Sequence, residues 1–279
     1  MKRILPHLIL YIMALPALLT LSGCDEVDEA DRLVYVKPAA AGRCILVEDY
    51  TGQRCVNCPT GNDQLHALQV QYGADTVVVV GFHSGPLAKS PRYVPYALWT
   101  QDGEDYYTRW KVENQPCIYV DRQVLNETTT AWVTLVREAL LKPATLRLGI
   151  TAAGYDPVSR ETTLKVTALG TEGTTSGNVQ LWLTESKIID FQYMPDGSVK
   201  RDYEHNHVYR KAVNGLDGDP FSIGEAEEQT LEFTCTLDEG WVPENMHAVA
   251  FVYNNDGVQQ VATCPLIYTE EPEQTSEDE

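Results

Sequence analysis

The chain is poor in positive charge. Against 40 acidic residues it carries 21 lysines and arginines, a formal charge of −19. Nucleic acid binding needs a basic face with counterions to release, so that class of partner is argued against. Attraction to anionic lipid head groups is argued against on the same ground. An uninterrupted apolar stretch of the ~20 residues that span a bilayer is also missing. The run from about Leu8 to Leu21 is too short and is broken at Pro16. No internal repeat is visible. With seven cysteines in 279 residues, the chain is not a disulfide-dense scaffold, and each cysteine is read individually. Apolar side chains are not scarce. At 43% they suffice for packed cores and are too many for a disordered chain.

The first residues read as an address. Lys2 and Arg3 precede the apolar run, which ends in Leu21-Ser22-Gly23-Cys24. A short positive segment, an apolar segment and small residues before a cysteine fit a secretory signal of the bacterial lipobox type. Residues 1–23 are therefore expected to be a signal peptide, with Cys24 lipidated as the first mature residue. Acyl chains would then hold the protein to a membrane, each buried CH₂ contributing ~0.8 kcal/mol. Five of the seven residues Asp25–Asp31 are acidic, so residues 24–39 read as a self-repelling tether. The acidic run also resembles the export signal that carries Bacteroidetes lipoproteins to the outer face of the outer membrane. The expected location is thus the cell envelope, at the outer membrane and surface-exposed, an oxidising compartment.

Two periodicities follow. Between residues 40 and 142 strand and helix alternate. Cys44–Val47 starts a buried strand, and Pro59–Tyr72 has helical spacing. Thr76–Phe82 is the continuous β-branched run of a strand covered on both faces. Tyr96–Trp110 reads as a helix, Cys117–Val120 as a strand, and Thr130–Leu141 as a helix stopped by Pro143. This order predicts an α/β layer. From 143 to 268 short alternating runs recur between turn signals, at Thr145–Ala152, Thr162–Leu169, Asn178–Thr184, Val208–Val213, Gln229–Thr236, Met246–Tyr253 and Gly257–Cys264. They predict an all-β, immunoglobulin-like sandwich. Residues 269–279, with six acidic residues of eleven, are expected to be a disordered tail.

Chemistry concentrates in Val47-Glu48-Asp49-Tyr50-Thr51-Gly52-Gln53-Arg54-Cys55-Val56-Asn57-Cys58-Pro59. A strand runs into a loop, and Cys-x-x-Cys opens a helix. Unpaired N–H groups and the dipole at a helix start favour an anion, here the Cys55 thiolate, and Arg54 adds positive charge. Cys55 is expected to be the more exposed, attacking sulfur, with Cys58 resolving the mixed disulfide.

Residues 40–142 resemble a thioredoxin-like domain. The resemblance implies that Gln115-Pro116-Cys117 carries the cis-proline facing the Cys-x-x-Cys, with the Gln115 backbone aimed at Cys55. It also implies that Asp49 is the buried acid beneath the resolving Cys58, able to relay its proton. Strand alternation puts Glu48 on the opposite face. His83, at the end of the second strand, is a candidate neighbour of the thiols, with a turn-capping histidine as the other reading. Arg54 and Val56-Asn57 stand where thioredoxins have Trp and Gly-Pro, so the direction of exchange is not readable. The leader, the segment Glu48-Asp49-Tyr50-Thr51-Gly52 before the Cys-x-x-Cys-Pro, and Glu204-His205-Asn206-His207-Val208 in a β-rich second half together resemble the outer-membrane-protein-28-related lipoproteins of Bacteroidetes. Adhesion or receptor activity has been suggested for that family.

The remaining candidates are weaker. Cys235 and Cys264 lie in separate strands of the second half, and the alternatives are a structural disulfide or two buried thiols. Cys44 reads as a small buried hydrophobe and Cys117 as a possible third redox thiol. His205 and His207, if on one strand, point to one face. Without a further ligand they make no metal site, and Cys55/Cys58 lacks the second pair that zinc needs. No cofactor is expected. The functional expectation is an envelope-anchored thiol–disulfide oxidoreductase acting on a protein thiol or disulfide client. The alternative is a surface adhesin or ligand-binding lipoprotein with the thioredoxin fold as scaffold.

Overall fold

Residues 45–51 and 77–83 carry side chains that bury on both faces, and they set the centre of the architecture. In the computed structural model, which describes residues 42–88 and 98–268, they are β1 (Ile45–Thr51) and β2 (Val77–His83), paired in parallel. Between them runs α1 (Cys58–Tyr72). α2 (Gln101–Arg109), capped by Thr100 Oγ1, leads to β3 (Cys117–Val120), antiparallel to β1. β4 (Val124–Asn126) and α3 (Thr129–Leu140) follow. Ile45, Val47, Val77, Val79, Ile118 and Val120 face α1 and α3, packing on Leu65, Leu68, Trp132 and Val136.

Past residue 142 the described elements are strands, apart from one 3-10 turn at Pro243–Asn245. The strands are β5 (Leu146–Asp156), β6 (Glu161–Gly170), β7 (Thr175–Glu185), β8 (Ile188–Tyr193) and β9 (Val199–His205). After them come β10 (Val208–Ala212), β11 (Asp219–Ile223), β12 (Glu228–Thr236), β13 (Met246–Asn254) and β14 (Gly257–Pro265). β5, β6 and β12 form a three-stranded sheet. Burial alternates along β6, as expected of a sheet with one face to the core. That face meets Leu181, Leu183, Ala248 and Ala250 of β7 and β13 in one apolar cluster.

The second layer reaches beyond the second half. One nine-stranded sheet runs β14-β13-β7-β10-β2-β1-β3-β4, with β11 also on β7. β10 joins β2 through Val208 opposite Gly81, and the Gly81 N–H donates to His207 O at 2.8 Å. The residues on either side of Lys142 thus share a sheet and an aromatic core. Phe82 stacks on Tyr209 with centroids 4.6 Å apart and meets Trp182 edge-on at 5.3 Å.

At this junction a charge is buried. Arg122 Nε donates to Glu48 Oε1 at 2.7 Å, and the Tyr50 hydroxyl donates to Glu48 Oε2 at 2.7 Å. The Arg122 guanidinium lies 4.4 Å from the Tyr253 ring centroid, 4.8 Å from Phe251 and 5.1 Å from Trp182. Burial opposes its charge, but the Glu48 carboxylate more than offsets this and raises its pKa.

β8 and β9 stand apart as a two-stranded hairpin. Its turn is Pro195-Asp196-Gly197, where Gly197 takes the positive φ of 83° that a tight reversal needs. The signal peptide, Cys24, the tether 24–39 and the tail 269–279 lie outside the described residues.

Candidate functional site

β1 delivers its last residues to the edge from which the Cys-x-x-Cys loop departs. Cys55 and Cys58 are joined in a disulfide. The helix opens at Cys58, with Asn57 as N-cap and Pro59 in the first turn, where its missing N–H costs nothing. Cys55 therefore sits three residues ahead of the first helical residue. Its N–H donates to Gly52 O at 3.0 Å, and the Arg54 N–H donates to Leu87 O at 3.0 Å. The Gln115–Pro116 bond is cis. Pro116 lies against α1, where a Cβ on Gly61 would come within 3.3 Å of the Pro116 Cβ. The Gln115 amide donates to Thr51 O at 2.7 Å and Ser84 O at 3.0 Å, tying the β3 entrance to the ends of β1 and β2.

Asp49 faces α1 and is 4% exposed. Burial raises its pKa to about 7, and its Oδ1 has no hydrogen-bond partner among the described residues. With its amide nitrogen turned toward acceptors, Asn62 donates to Asp49 Oδ2 at 3.1 Å and to Cys58 O at 3.3 Å. One side chain thus bridges the buried acid and the second cysteine. Asp49 also lines a cleft of about 390 Å³ with His66, His83, Tyr203, His205 and His207. Gly81 of β2 also lines that cleft.

Several expectations are corrected here. Cys55, at 3% exposed, is the more exposed of the two cysteines, but both are buried, Cys58 fully. The β8–β9 hairpin lies against the loop that carries Cys55. Gln192, itself 1% exposed, donates through Nε2 to Cys55 O at 2.9 Å and Gly52 O at 3.3 Å. The Tyr193 N–H donates to Gln53 O at 2.8 Å, and the Gln53 amide returns to Phe191 O at 3.2 Å. His83 Nε2 lies 3.3 Å from His205 Nδ1. His205 and His207 do not share a strand face. His205 closes β9, and His207 takes a left-handed φ of 55° before β10 begins.

Cys235 and Cys264 are separate thiols in β12 and β14, in opposite layers, both raised by burial to about 11. Cys117 is a buried free thiol that burial pushes up to about 12, so it stays protonated at neutral pH. Cys44, also free, is half-buried at the other end of β1. Among the described residues no group of three or more His, Cys, Asp or Glu is arranged to hold a metal ion. No described helix is long and apolar enough to cross a membrane.

The sequence reading missed Gln192 and Tyr203. Only the turn signal at Pro195-Asp196-Gly197 hinted at the hairpin that carries them.

The molecule defined by these features is a β-rich chain in which a helix-opening disulfide lies beneath a hairpin from the second half. Residues 103–266 match the Omp28 family, described as outer membrane protein Omp28. The chain belongs to this family of outer membrane proteins. HBP35 of Porphyromonas gingivalis superposes with a TM-score of 0.60 at 14% identity, covering 82% of this chain and 77% of that one, a likeness of fold. A domain of the outer membrane lipoprotein Omp28 from Porphyromonas gingivalis matches at 26% identity and a TM-score of 0.32, over 43% of this chain and 86% of that one. Comparison with curated proteins finds no match.

Proposed function

We propose that this protein is an envelope lipoprotein, anchored through Cys24 and displayed at the cell surface. In this reading residues 40–142 are a thioredoxin-like unit, and Cys55 and Cys58 exchange thiols and disulfides with a protein client. The observation that carries the reading is the Asp49 carboxyl. A disulfide kept only as a brace has no use for a buried acid, whose unpartnered oxygen is a cost to the fold. An acid poised near pH 7, tied through Asn62 to the Cys58 backbone carbonyl, is in this reading the proton donor to the departing Cys58 sulfur. In the reductive half-reaction a client thiolate attacks Cys55 Sγ, the Cys55–Cys58 bond breaks, and Cys58 leaves as a thiolate that is protonated from Asp49.

A second reading has its own support. Cys55 is 3% exposed, which suits an adhesin or ligand-binding lipoprotein that uses the same unit as a scaffold. The test is the reduction potential of Cys55–Cys58 together with turnover of a disulfide client such as insulin, with Cys55→Ser as control. Turnover abolished by Cys55→Ser supports exchange. A potential far below about −300 mV with no turnover supports the scaffold. Protease shaving of intact cells, with Cys24→Ala as the unanchored control, tests surface display.

A further inference from the structure

We propose that the β8–β9 hairpin is a strap that closes over the Cys55–Cys58 disulfide, and that a thiol reaches Cys55 only when the strap lifts. The inference concerns access to the disulfide and goes beyond the exchange reading without depending on it.

Three observations carry it. First, the hairpin is not part of either larger sheet. A two-stranded hairpin is at best marginally stable alone, so it is held by what it touches. Second, its hydrogen bonds to the described residues outside it are polar ties to loop and strand ends, the Gln53 amide to Phe191 O among them. Gln192 reaches Cys55 O and Gly52 O, and Tyr193 N–H reaches Gln53 O. His205 meets His83, and the Tyr203 hydroxyl meets the Asn62 amide at 3.4 Å. Its outward side chains Ile189 and Val199 are 59% and 44% exposed. Among the described residues, none of the three hydrophobic clusters includes a side chain of this hairpin.

Third, both roots of the hairpin are non-glycine residues in the left-handed region, Lys187 at φ 59° and His207 at φ 55°. That conformation is uncommon for such side chains and is stabilised here by neighbours. The Lys187 N–H donates to Asn206 Oδ1 at 2.9 Å, and the His207 N–H donates to Ser186 Oγ at 3.0 Å. Two such residues flanking a separately folded ribbon are where a rigid-body swing can be absorbed.

The test is reduction of the full chain by dithiothreitol under native conditions. A dithiothreitol thiolate attacks Cys55 Sγ as the Cys55–Cys58 bond breaks, and Cys58 leaves and takes up a proton. The second dithiothreitol thiol then attacks the mixed disulfide, freeing Cys55 and releasing the cyclic oxidised reagent, so two electrons pass to the protein. Alkylation of the peptide containing Cys55 and Cys58, followed by mass spectrometry, reads the rate. In the native protein the rate is expected to level off as dithiothreitol rises, because lifting limits it. Gln192→Ala is expected to accelerate reduction at least tenfold with an unchanged circular dichroism spectrum.

A rate linear in dithiothreitol and changed less than twofold by Gln192→Ala overturns the strap. Should Gln192→Ala not fold, hydrogen exchange of the native protein decides. Amides of 188–205 exchanging well before those of β1 and β2 support the strap, and exchange only with global unfolding overturns it. The exchange reading fails separately: a Gln192→Ala protein that is reduced quickly but turns over no insulin keeps the strap and loses the oxidoreductase. Insulin turnover at equal rates in both proteins does the reverse.

Discussion

His83 Nε2 and His205 Nδ1 face each other at 3.3 Å, both rings almost fully buried, one at the end of β2 and the other at the end of β9. Such a pair accommodates one proton between its facing nitrogens. Burial lowers both pKa values, that of His205 to about 4. His83 is pushed well down by burial, then by His205 and Arg210. His207, partly buried near His247 and His66, is also lowered to about 4. A histidine with a folded pKa below its unfolded ~6.5 favours the fold while neutral. That contribution is whole above pH 6.5 and is lost as pH falls toward 4. For His205 alone it amounts to roughly 2–3 kcal/mol. Urea melts between pH 7 and 4 check this: His205→Asn is expected to show a shallower loss than the native protein. Equal slopes in the two proteins would refute the assignment.

Asp49 works in the opposite sense. Its folded pKa of about 7 lies above the ordinary 3.8, because burial favours the neutral acid. Asp49 therefore destabilises the fold increasingly as pH rises from about 4 to 7. Asp49→Asn, with the disulfide intact, is expected to raise stability by roughly 2–4 kcal/mol at pH 8 and to change little at pH 4. Thermal melts at the two values suffice. A loss of stability at pH 8 would mean that the carboxylate has a partner when charged.

Arg122 is the buried charge on which the junction turns. Replacing it with Met leaves Glu48 fully buried and unpaired, and the expected loss is about 3–5 kcal/mol. Arg122→Met with Glu48→Gln is expected to recover a substantial part of it. Guanidinium melts give both numbers. A single variant within about 1 kcal/mol of the native protein contradicts the pairing.

Cys235 and Cys264 are expected to remain thiols in the native protein. A non-reducing peptide map should find Cys55 linked to Cys58, and Cys235 and Cys264 alkylated only after denaturation. A Cys235–Cys264 peptide would show that β12 and β14 approach more closely than described.

What the sequence reveals follows from apolar periodicity. Val77–Val80 announces a strand covered on both faces, and the alternation of Thr162–Leu169 announces one covered on a single face. Cys55, Cys58, Asp49 and Pro116 stand out because their spacing is meaningful before any fold is known. The hairpin is hidden because its inward residues are Gln192, Tyr203 and His205 and its outward ones include Ile189 and Val199, so periodicity carries no apolar signal. Glu48 and Arg122, 74 positions apart, meet only once β3 lies beside β1. The His205-Asn206-His207 segment misleads because the left-handed turn at His207 breaks the parity that a strand would impose.

The seam between Phe82 and Tyr209 limits how the gene can be cut. A fragment ending at Lys142 would present Phe82, Tyr106 and the charged end of Arg122 to water and lose the covering of Trp182, Phe251 and Tyr253. Such a truncation would make a sticky surface out of what is now interior, so neither piece is a dependable stand-in for the whole when its chemistry is assayed.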